Sequence, residues 1–217
     1  MRYIFLYFFY KTFWNFILHI FIGVKFIGNR KLKKIDQFII ASNHNSHLDS
    51  IVLMSALPPN RLKTTHPIAA ADYFGKNKFR AALTRFFINA ILISRKNPNG
   101  DNDGNPIQIM IDVVKSGKSI ILYPEGSRGV PGVMQPFKKG IGYVVEGNAG
   151  VPVIPVYMDG IGRILPKGNK LILPNITKIY FGQPLFFEQE SPEEITRIIE
   201  FEINQLKEKS IATNNIR

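Results

Sequence analysis

The sequence predicts an α/β protein in which a central, mostly mixed β-sheet carries helices on both faces, preceded by an aromatic-rich helical segment. Short apolar runs bounded by turn residues alternate with helical patterns along residues 35–217, as in sheets covered on both sides. A length of 217 residues with 45% hydrophobic content suffices for one domain with a sizeable core. The first 28 residues hold 11 of the 26 aromatics, so residues 1–34 are predicted to form a separate N-terminal segment.

The N-terminal segment has a narrow polar stripe on an otherwise apolar helix. Lys11, Asn15 and His19 are spaced four apart, so they share one helix face. Aromatic side chains favour the membrane interface, and the basic run GNRKLKK at 28–34 suits anionic head groups on a cytoplasmic side. We expect its four cations, Arg30, Lys31, Lys33 and Lys34, to face such head groups. Three arrangements remain open: an interfacial or re-entrant anchor in one leaflet, a single span, and a buried core helix.

The elements of residues 35–217 follow from hydrophobic pattern and turn residues. Pro58-Pro59 and Gly117 end two helices, and the turn residues of 97–106 indicate a loop. Ser191, Pro192 and Glu194 have the spacing of a helix N-cap with a capping box. The predicted strands are 38–42, 90–94, 119–123, 151–158 and 176–181, and the predicted helices are 48–57, 79–89, 107–116, 137–146 and the segment after 191.

Charge and cysteine content restrict the possible functions. The net charge of +12 lies wholly in residues 1–100, which hold 15 Lys and Arg against three Asp, whereas residues 101–217 hold 13 of each sign. We therefore expect the first half to meet an anionic surface or substrate. Absence of cysteine excludes a disulfide framework, a thiolate metal site and a thiol nucleophile. The aromatics are not interleaved with Lys and Arg, which argues against a nucleic-acid partner.

The segment ASNHNSHLDS at 41–50 follows an apolar run and sets two histidines and an aspartate within six positions. If a helix begins near Ser46, Asp49 lies one turn in and can point back at His44. A carboxylate on one ring nitrogen fixes the tautomer and raises the basicity of the other nitrogen, which makes a general base. Two other interpretations stay open: a metal site formed by His44, His47 and Asp49, and a plain helix cap with a surface histidine.

A second polar segment, YPEGSRG at 123–129, follows the predicted strand 119–123. Sites in α/β sheets form beyond the carboxyl ends of strands. Gly126 permits a tight turn, Arg128 offers a planar fork for a phosphate, and Glu125 can orient a neighbouring cation or hydroxyl. Ser127 is not expected to be a nucleophile, because the G-x-S-x-G pattern of a nucleophile elbow is absent.

Four segments, in chain order from about 38 to 185, resemble the blocks of the glycerolipid acyltransferase family typified by bacterial 1-acyl-glycerol-3-phosphate acyltransferase. The first and third are the discriminating ones. The sequence departs from the second block, where Asn89 stands in place of a glycine and Ser94 in place of a frequent acid. The resembling segments are the H-x4-D block His44–Asp49 preceded by Asn43, the apolar run and arginine of 89–95, the P-E-G-[ST]-R block of 124–128, and the proline-interrupted apolar strand of 151–156. The lysine pair Lys138-Lys139 also resembles family sequence.

The resemblance implies transfer of a fatty acyl group from a thioester, acyl-CoA or acyl-carrier protein, to a lysophospholipid hydroxyl, most simply 1-acyl-glycerol-3-phosphate. His44 held by Asp49 would be the general base, Arg95 and Arg128 would bind the acceptor phosphate, and Asn43, Glu125, Gly126 and Ser127 would support the site. Backbone N–H groups near Gly126 or a lysine would stabilise the oxyanion. Neither a metal nor an organic cofactor is implied.

The expected location is the cytoplasmic face of the inner or plasma membrane. Alternatives are an acyltransferase for another lyso-lipid, a metal-dependent hydrolase, and a non-enzymatic basic module that binds membranes.

Overall fold

The computed structural model describes residues 1–71, 78–94, 105–129, 132–161 and 177–215. Within these ranges the strands are β1 Val24–Ile27, β2 Ile39–Ser42, β3 Thr65–Ala70, β4 Ile91–Ile93, β5 Ser119–Leu122, β6 Val153–Asp159 and β7 Thr177–Phe181. They form one mixed sheet in the order β1-β7-β6-β2-β5-β3-β4. The β6–β7 pair is antiparallel, and the other neighbours are parallel.

The helices of the described residues are α1 Arg2–Phe21, α2 Asp49–Ala56, α3 Lys78–Leu83, α4 Pro106–Lys115, α5 Gly140–Glu146 and α6 Pro192–Asn215. α1 contains the π-helical stretches Phe8–Trp14 and Ile17–Phe21, and α3 continues as the π-helix Thr84–Ile88. Short 3₁₀ helices occupy Asn29–Lys34 and Pro59–Arg61.

The strand β2 lies at the centre of the sheet and is buried on both faces. Ile40 pairs with Ile121 of β5 on one side and Ile154 of β6 on the other. Because strand side chains alternate between faces, Ile40 joins the core under α1 and α2, whereas Ile39 joins the core under α4, α5 and α6. The sheet with helices on both faces confirms the predicted fold class.

Most predicted elements are confirmed within a few residues, including the capping box. The backbone N–H of Ser191 donates to Glu194 at 2.9 Å, and that of Glu194 donates to the Ser191 hydroxyl at 3.3 Å. The helix predicted at 137–146 begins only at Gly140, because the Lys138 N–H is held by the Pro124 carbonyl at 2.9 Å. Residues 97–104 of the predicted loop and Ile176 lie outside the described residues.

Two strands were not predicted. β1 was hidden within the aromatic N-terminal run, yet it pairs along its length with β7. β3 contains Pro67, which normally argues against a strand. Pro67 is tolerated because the strand changes partners there: residues 65–67 pair with β5, and residues 68–70 pair with β4. The boundary at residue 34 stays a prediction, although β1 belongs to the sheet.

The helix α1 is long and apolar enough to cross a membrane by length and composition, but one of its faces packs on the body of the protein. Leu6, Tyr10 and Leu18 are fully buried. The Lys11 ammonium donates to the Ser55 carbonyl at 2.5 Å, and the Tyr10 hydroxyl donates to the Phe87 carbonyl at 3.2 Å. Exposed apolar side chains occupy the rest of the helix: Ile4, Phe8, Phe13, Phe16, Ile20 and Phe21.

The expectation that all four cations of 28–34 face lipid head groups is wrong for Lys31. Its ammonium donates to the carbonyls of Phe181 at 3.2 Å and Gly182 at 2.7 Å. Lys31 therefore ties the 3₁₀ helix to the end of β7 and has a structural role.

A glycine sets the distance between α5 and α6. A Cβ at Gly142 would lie 1.9 Å from the Pro192 carbonyl oxygen, whereas a Cβ at Gly140 would meet nothing within 4 Å. Alanine otherwise stabilises a helix by about 1 kcal/mol relative to glycine. We expect Gly142→Ala to lower the free energy of unfolding by at least about 2 kcal/mol, because backbone must shift, and Gly140→Ala to leave it equal or higher.

Urea denaturation of both variants measures this difference. Equal stabilities would contradict the close packing of α5 against the start of α6.

Candidate active site

The turn between β2 and α2 brings His44 and Asp49 together. The distance from His44 Nδ1 to Asp49 Oδ2 is 2.7 Å. The same carboxylate oxygen accepts the backbone N–H groups of Asn45 at 2.8 Å and Ser46 at 2.9 Å. Asp49 is fully buried, so these donors replace the water that its charge would otherwise need.

The helix begins at Asp49 itself rather than near Ser46, which corrects the expected position of the carboxylate one turn in. The turn before the helix is held by side chains: Asp49 accepts the N–H groups of Asn45 and Ser46, and the Ser46 hydroxyl accepts the Leu48 N–H at 3.2 Å. The carboxylate therefore reaches His44 through a turn. With Nδ1 donating to Asp49, the imidazole presents Nε2 as its basic nitrogen.

An aromatic ring fixes the plane of the imidazole. Tyr123 stacks on His44 with 4.0 Å between ring centroids and 15° between planes. The Tyr123 hydroxyl is 2.9 Å from the Ser50 hydroxyl, and burial raises the pKa of Tyr123 well above its usual value, so the phenol stays neutral. Sequence reasoning missed Tyr123 and Ser50, because an aromatic residue ending a buried strand resembles ordinary core.

The loop after β5 is joined directly to the histidine turn. Glu125 accepts the backbone N–H of His44 at 2.8 Å and that of Gln135 at 2.9 Å, and Gly129 N–H donates to the His44 carbonyl at 3.1 Å. Burial raises the pKa of the Glu125 carboxyl. The described contacts of Glu125 are thus with two backbone amides rather than with a cation or a hydroxyl.

Asn43 holds the other side of the turn. Its side chain exchanges two hydrogen bonds with the Met158 backbone on β6, at 3.1 and 2.8 Å. Asn43 therefore anchors the end of β2 to its neighbouring strand and does not line the cavity described below.

Cationic side chains gather next to His44. The Arg128 guanidinium contacts His47 Nε2. Burial, and after it the nearby charge of Arg128, lowers the pKa of His47. A neutral His47 imidazole can therefore accept a hydrogen bond from the guanidinium. Gly126 has a φ of 72°, and a Cβ there would lie 2.9 Å from the Lys138 ammonium. The sequence contained Lys138 within its resembling lysine pair, but only the structure brings it to Gly126. Arg95 lies outside the described residues.

These groups line one region of a cavity of about 540 Å³. The polar lining includes His44, Arg128, Lys138, Gly126 and Ser127. The apolar lining comes largely from β3, β4 and the elements that flank them: Pro67, Ile68, Ala69, Ala70, Ile88, Ala90, Ile93, Met110, Leu122 and Ile141. The lining of the cavity thus combines cationic and apolar side chains.

The metal interpretation of the histidine turn does not fit this geometry. Asp49 Oδ2 is occupied by an imidazole and two backbone amides, and His47 is directed at a guanidinium. Across the described residues, no group of three or more His, Asp or Glu side chains could hold a metal ion.

Comparison with known proteins places this chain in a family. Residues 23–159 match the family model described as Acyltransferase. The chain is 26% identical over 191 residues to a 1-acyl-sn-glycerol-3-phosphate acyltransferase of Bacillus subtilis, a match that covers 86% of this chain and 87% of that protein. A chloroplastic 1-acyl-sn-glycerol-3-phosphate acyltransferase of Brassica napus is 29% identical over 135 residues.

The Brassica match covers 62% of this chain but only 36% of the plant protein, so this chain spans about a third of the length of that relative. The fold is shared with the crystal structure of the 1-acyl-sn-glycerophosphate acyltransferase PlsC from Thermotoga maritima. The TM-score is 0.75 at 22% identity, and the match covers 96% of this chain and 81% of that chain. The family match extends over more than half of the chain and includes both His44 and Arg128, and the chain therefore belongs to the Acyltransferase family.

Proposed function

We propose that this protein transfers a fatty acyl group from an acyl thioester to the free hydroxyl of a lysophospholipid, with 1-acyl-glycerol-3-phosphate as the acceptor and phosphatidic acid as the product. The observation that carries the proposal is the 2.7 Å contact between His44 and a buried Asp49 beside a cavity with cationic and apolar regions. The names of the Bacillus and Brassica relatives support the choice of acceptor.

His44 acts as the general base in this proposal. Its Nε2 removes the proton from the acceptor hydroxyl as the oxygen attacks the thioester carbonyl, and Asp49 stabilises the imidazolium that forms. The imidazolium then gives its proton to the departing thiolate, so an ester bond forms and a thioester bond breaks. Because the chain has no cysteine and no serine elbow, the acyl group passes directly to the acceptor without a covalent enzyme intermediate.

Arg128 is suited to the acceptor phosphate, since its planar fork can donate two parallel hydrogen bonds. Arg95 remains a second candidate for this role. Lys138 and the backbone around Gly126 are the candidate donors for the tetrahedral oxyanion. No metal or organic cofactor takes part in this scheme; acyl-CoA or acyl-carrier protein is the co-substrate.

The apolar wall formed by β3 and β4 offers a place for an acyl chain beside the imidazole. The exposed face of α1 would bring this site to a lipid surface, where both the acceptor and its two-chain product reside. Packing of α1 on α2 and α3 supports a helix that lies in one leaflet over an isolated span. The location proposed is the cytoplasmic face of the inner or plasma membrane.

The first prediction concerns the dyad. His44→Ala should lower kcat for acyl transfer by about 10² to 10⁴, the effect typical of a lost general base, and Asp49→Asn should cause a smaller but still severe loss. Thermal unfolding checks that His44→Ala stays folded, and Asp112→Asn on exposed α4 is the matched control. Activity that survives His44→Ala, or that is lost to chelator and restored by zinc, would refute the assignment.

The second prediction separates phosphate binding from base catalysis. Arg128→Lys keeps the charge but loses the fork, so KM for a phosphate-bearing acceptor should rise about 10- to 100-fold with kcat changed only a few-fold. The variant should use a 1-acylglycerol acceptor without phosphate as poorly as the wild type does. The exposed Arg197→Lys on α6 is the matched control. An unchanged KM would remove Arg128 from the phosphate site.

The third prediction concerns the exposed face of α1. Replacing Phe8, Phe13 and Phe16 by serine should weaken binding to neutral vesicles by about tenfold or more, because each ring gives up apolar burial in lipid. Turnover of a short, water-soluble acceptor should persist, since these side chains are exposed. Substitution suits this test better than deletion of residues 1–28, which would remove buried Leu6, Tyr10 and β1 and so expose the core and the β7 edge that they cover.

Phe201→Ser is the matched control, since Phe201 is equally exposed but lies on α6, on the other side of the sheet. Losses of vesicle binding that are equal in the triple variant and in this control would contradict docking through α1.

A further inference from the structure

A second cavity, of about 290 Å³, lies between α1, the 3₁₀ helix Asn29–Lys34 and the turn that follows α2. Asp49 begins α2 and Ala56 ends it, so the cavity lies roughly 10 Å, one helix length, from the catalytic dyad. None of the described residues that line this cavity is acidic. Its polar lining consists of Lys11, Asn15, His19, Asn29, Arg30, Lys33 and Ser55.

Part of this lining has a structural explanation. Lys11 donates to the Ser55 carbonyl at 2.5 Å, and the Asn29 amide donates to the Ala56 carbonyl at 3.1 Å. These bonds satisfy carbonyl groups that the end of α2 leaves free. Burial lowers the pKa of Lys11 to about 8, which shows how poorly the ammonium is compensated there.

The end of α2 does not explain why Arg30 and Lys33 line the same cavity. Both side chains are exposed and could extend into water. Together with Lys11 they place three cationic side chains in the lining of one cavity, which has no acidic residue among its described lining to offset them. A phosphate group accepts several charge-assisted hydrogen bonds at once and would take the donors that this cavity offers.

The neighbourhood of the cavity indicates where that phosphate comes from. α1 supplies Lys11, Asn15 and His19 to the cavity and also carries the exposed Phe16 and Ile20. A helix whose apolar side chains enter one leaflet holds its polar side chains at the level of the head groups. A membrane phosphate is then present at high local concentration beside the cavity.

We propose that the cavity between α1 and the 3₁₀ helix is a head-group site, which binds the phosphate of one anionic phospholipid that is not a substrate. The site is separate from the acceptor site beside His44, and it fixes the orientation of the protein on the membrane. The proposal rests on the proposed function only for the placement of α1 at the lipid surface.

The test compares two variants that each lose two positive charges from the same short segment. The cavity pair, Arg30→Gln/Lys33→Gln, removes two residues that line the cavity. The control pair, Lys25→Gln/Lys34→Gln, removes two exposed residues that do not line it. Both are made in the full chain carrying His44→Ala, so that no turnover alters the lipids. Sedimentation with phosphatidylcholine vesicles, with and without added phosphatidate, gives the partition coefficients, and thermal unfolding checks the fold.

The cavity pair should lose at least about tenfold in binding to the anionic vesicles, with little change on neutral ones, because it loses the charge-assisted hydrogen bonds to the bound phosphate as well as diffuse attraction. The loss of binding to anionic vesicles should be at least several-fold smaller for the control pair than for the cavity pair. Sodium phosphate should displace the control pair from anionic vesicles more than sodium chloride of equal ionic strength does, and this difference should vanish in the cavity pair.

Equal losses in the two pairs would show diffuse electrostatic attraction and overturn the head-group site. So would equal effects of phosphate and chloride on the control pair, because a site that binds phosphate must distinguish the two anions. Binding of inorganic phosphate that depends on the cavity pair, with vesicle binding unaffected, would assign the cavity to a soluble anion instead. If the expected difference in vesicle binding between the two pairs were found, but the chain with His44 restored showed no acyl transfer, only the proposed function would be contradicted.

Discussion

The buried carboxylate of Asp49 is the constraint on which the arrangement of the site depends. A buried carboxylate needs donors in place of water. Here three donors converge on Asp49 Oδ2, namely the His44 imidazole and the N–H groups of Asn45 and Ser46, whereas Oδ1 has no partner among the described residues. The bonds to Oδ2 curl the turn, and α2 starts at residue 49. The same turn presents the imidazole to the cavity. The energetic requirement of one buried charge thus produces the geometry of a general base.

The sheet supplies the rigid frame for that turn. β2 is flanked by β5 and β6, and the turn after β2 is tied to both: Glu125 beyond β5 holds the His44 backbone, and Asn43 is bonded to Met158 of β6. Tyr123 at the end of β5 stacks on the ring itself. Parallel strands bring their carboxyl ends to one edge, so segments some 80 residues apart in sequence build one site.

The features that depend only on residues close together in the chain could be predicted from the sequence. The carboxylate five residues after a histidine, the capping box at Ser191 and the alternation of apolar runs with helices could all be identified from neighbouring residues. Other features depend on segments that are distant in sequence, and no local pattern encodes them. They are the stacking of Tyr123 on His44, the approach of Lys138 to Gly126, and the change of strand partner at Pro67 in β3. β1 escaped prediction because its apolar residues continue an aromatic run, and only pairing with β7 distinguishes it from the helix before it.

The helix α1 would link the proposed membrane docking to the core, because one face buries Leu6, Tyr10 and Leu18 while the other exposes aromatic rings. In the proposed function, catalysis at a lipid surface depends on the base that the sheet positions. ¹⁵N nuclear magnetic resonance of the histidine side chains tests that base directly. At a pH where the ring is neutral, we predict that His44 carries its proton on Nδ1, where it donates to Asp49, and that Nε2 has the shift of an unprotonated nitrogen. The hydrogen-bonded proton signal should change in Asp49→Asn. A protonated Nε2 with a bare Nδ1 would contradict the account, because the nitrogen facing the acceptor could not remove its proton.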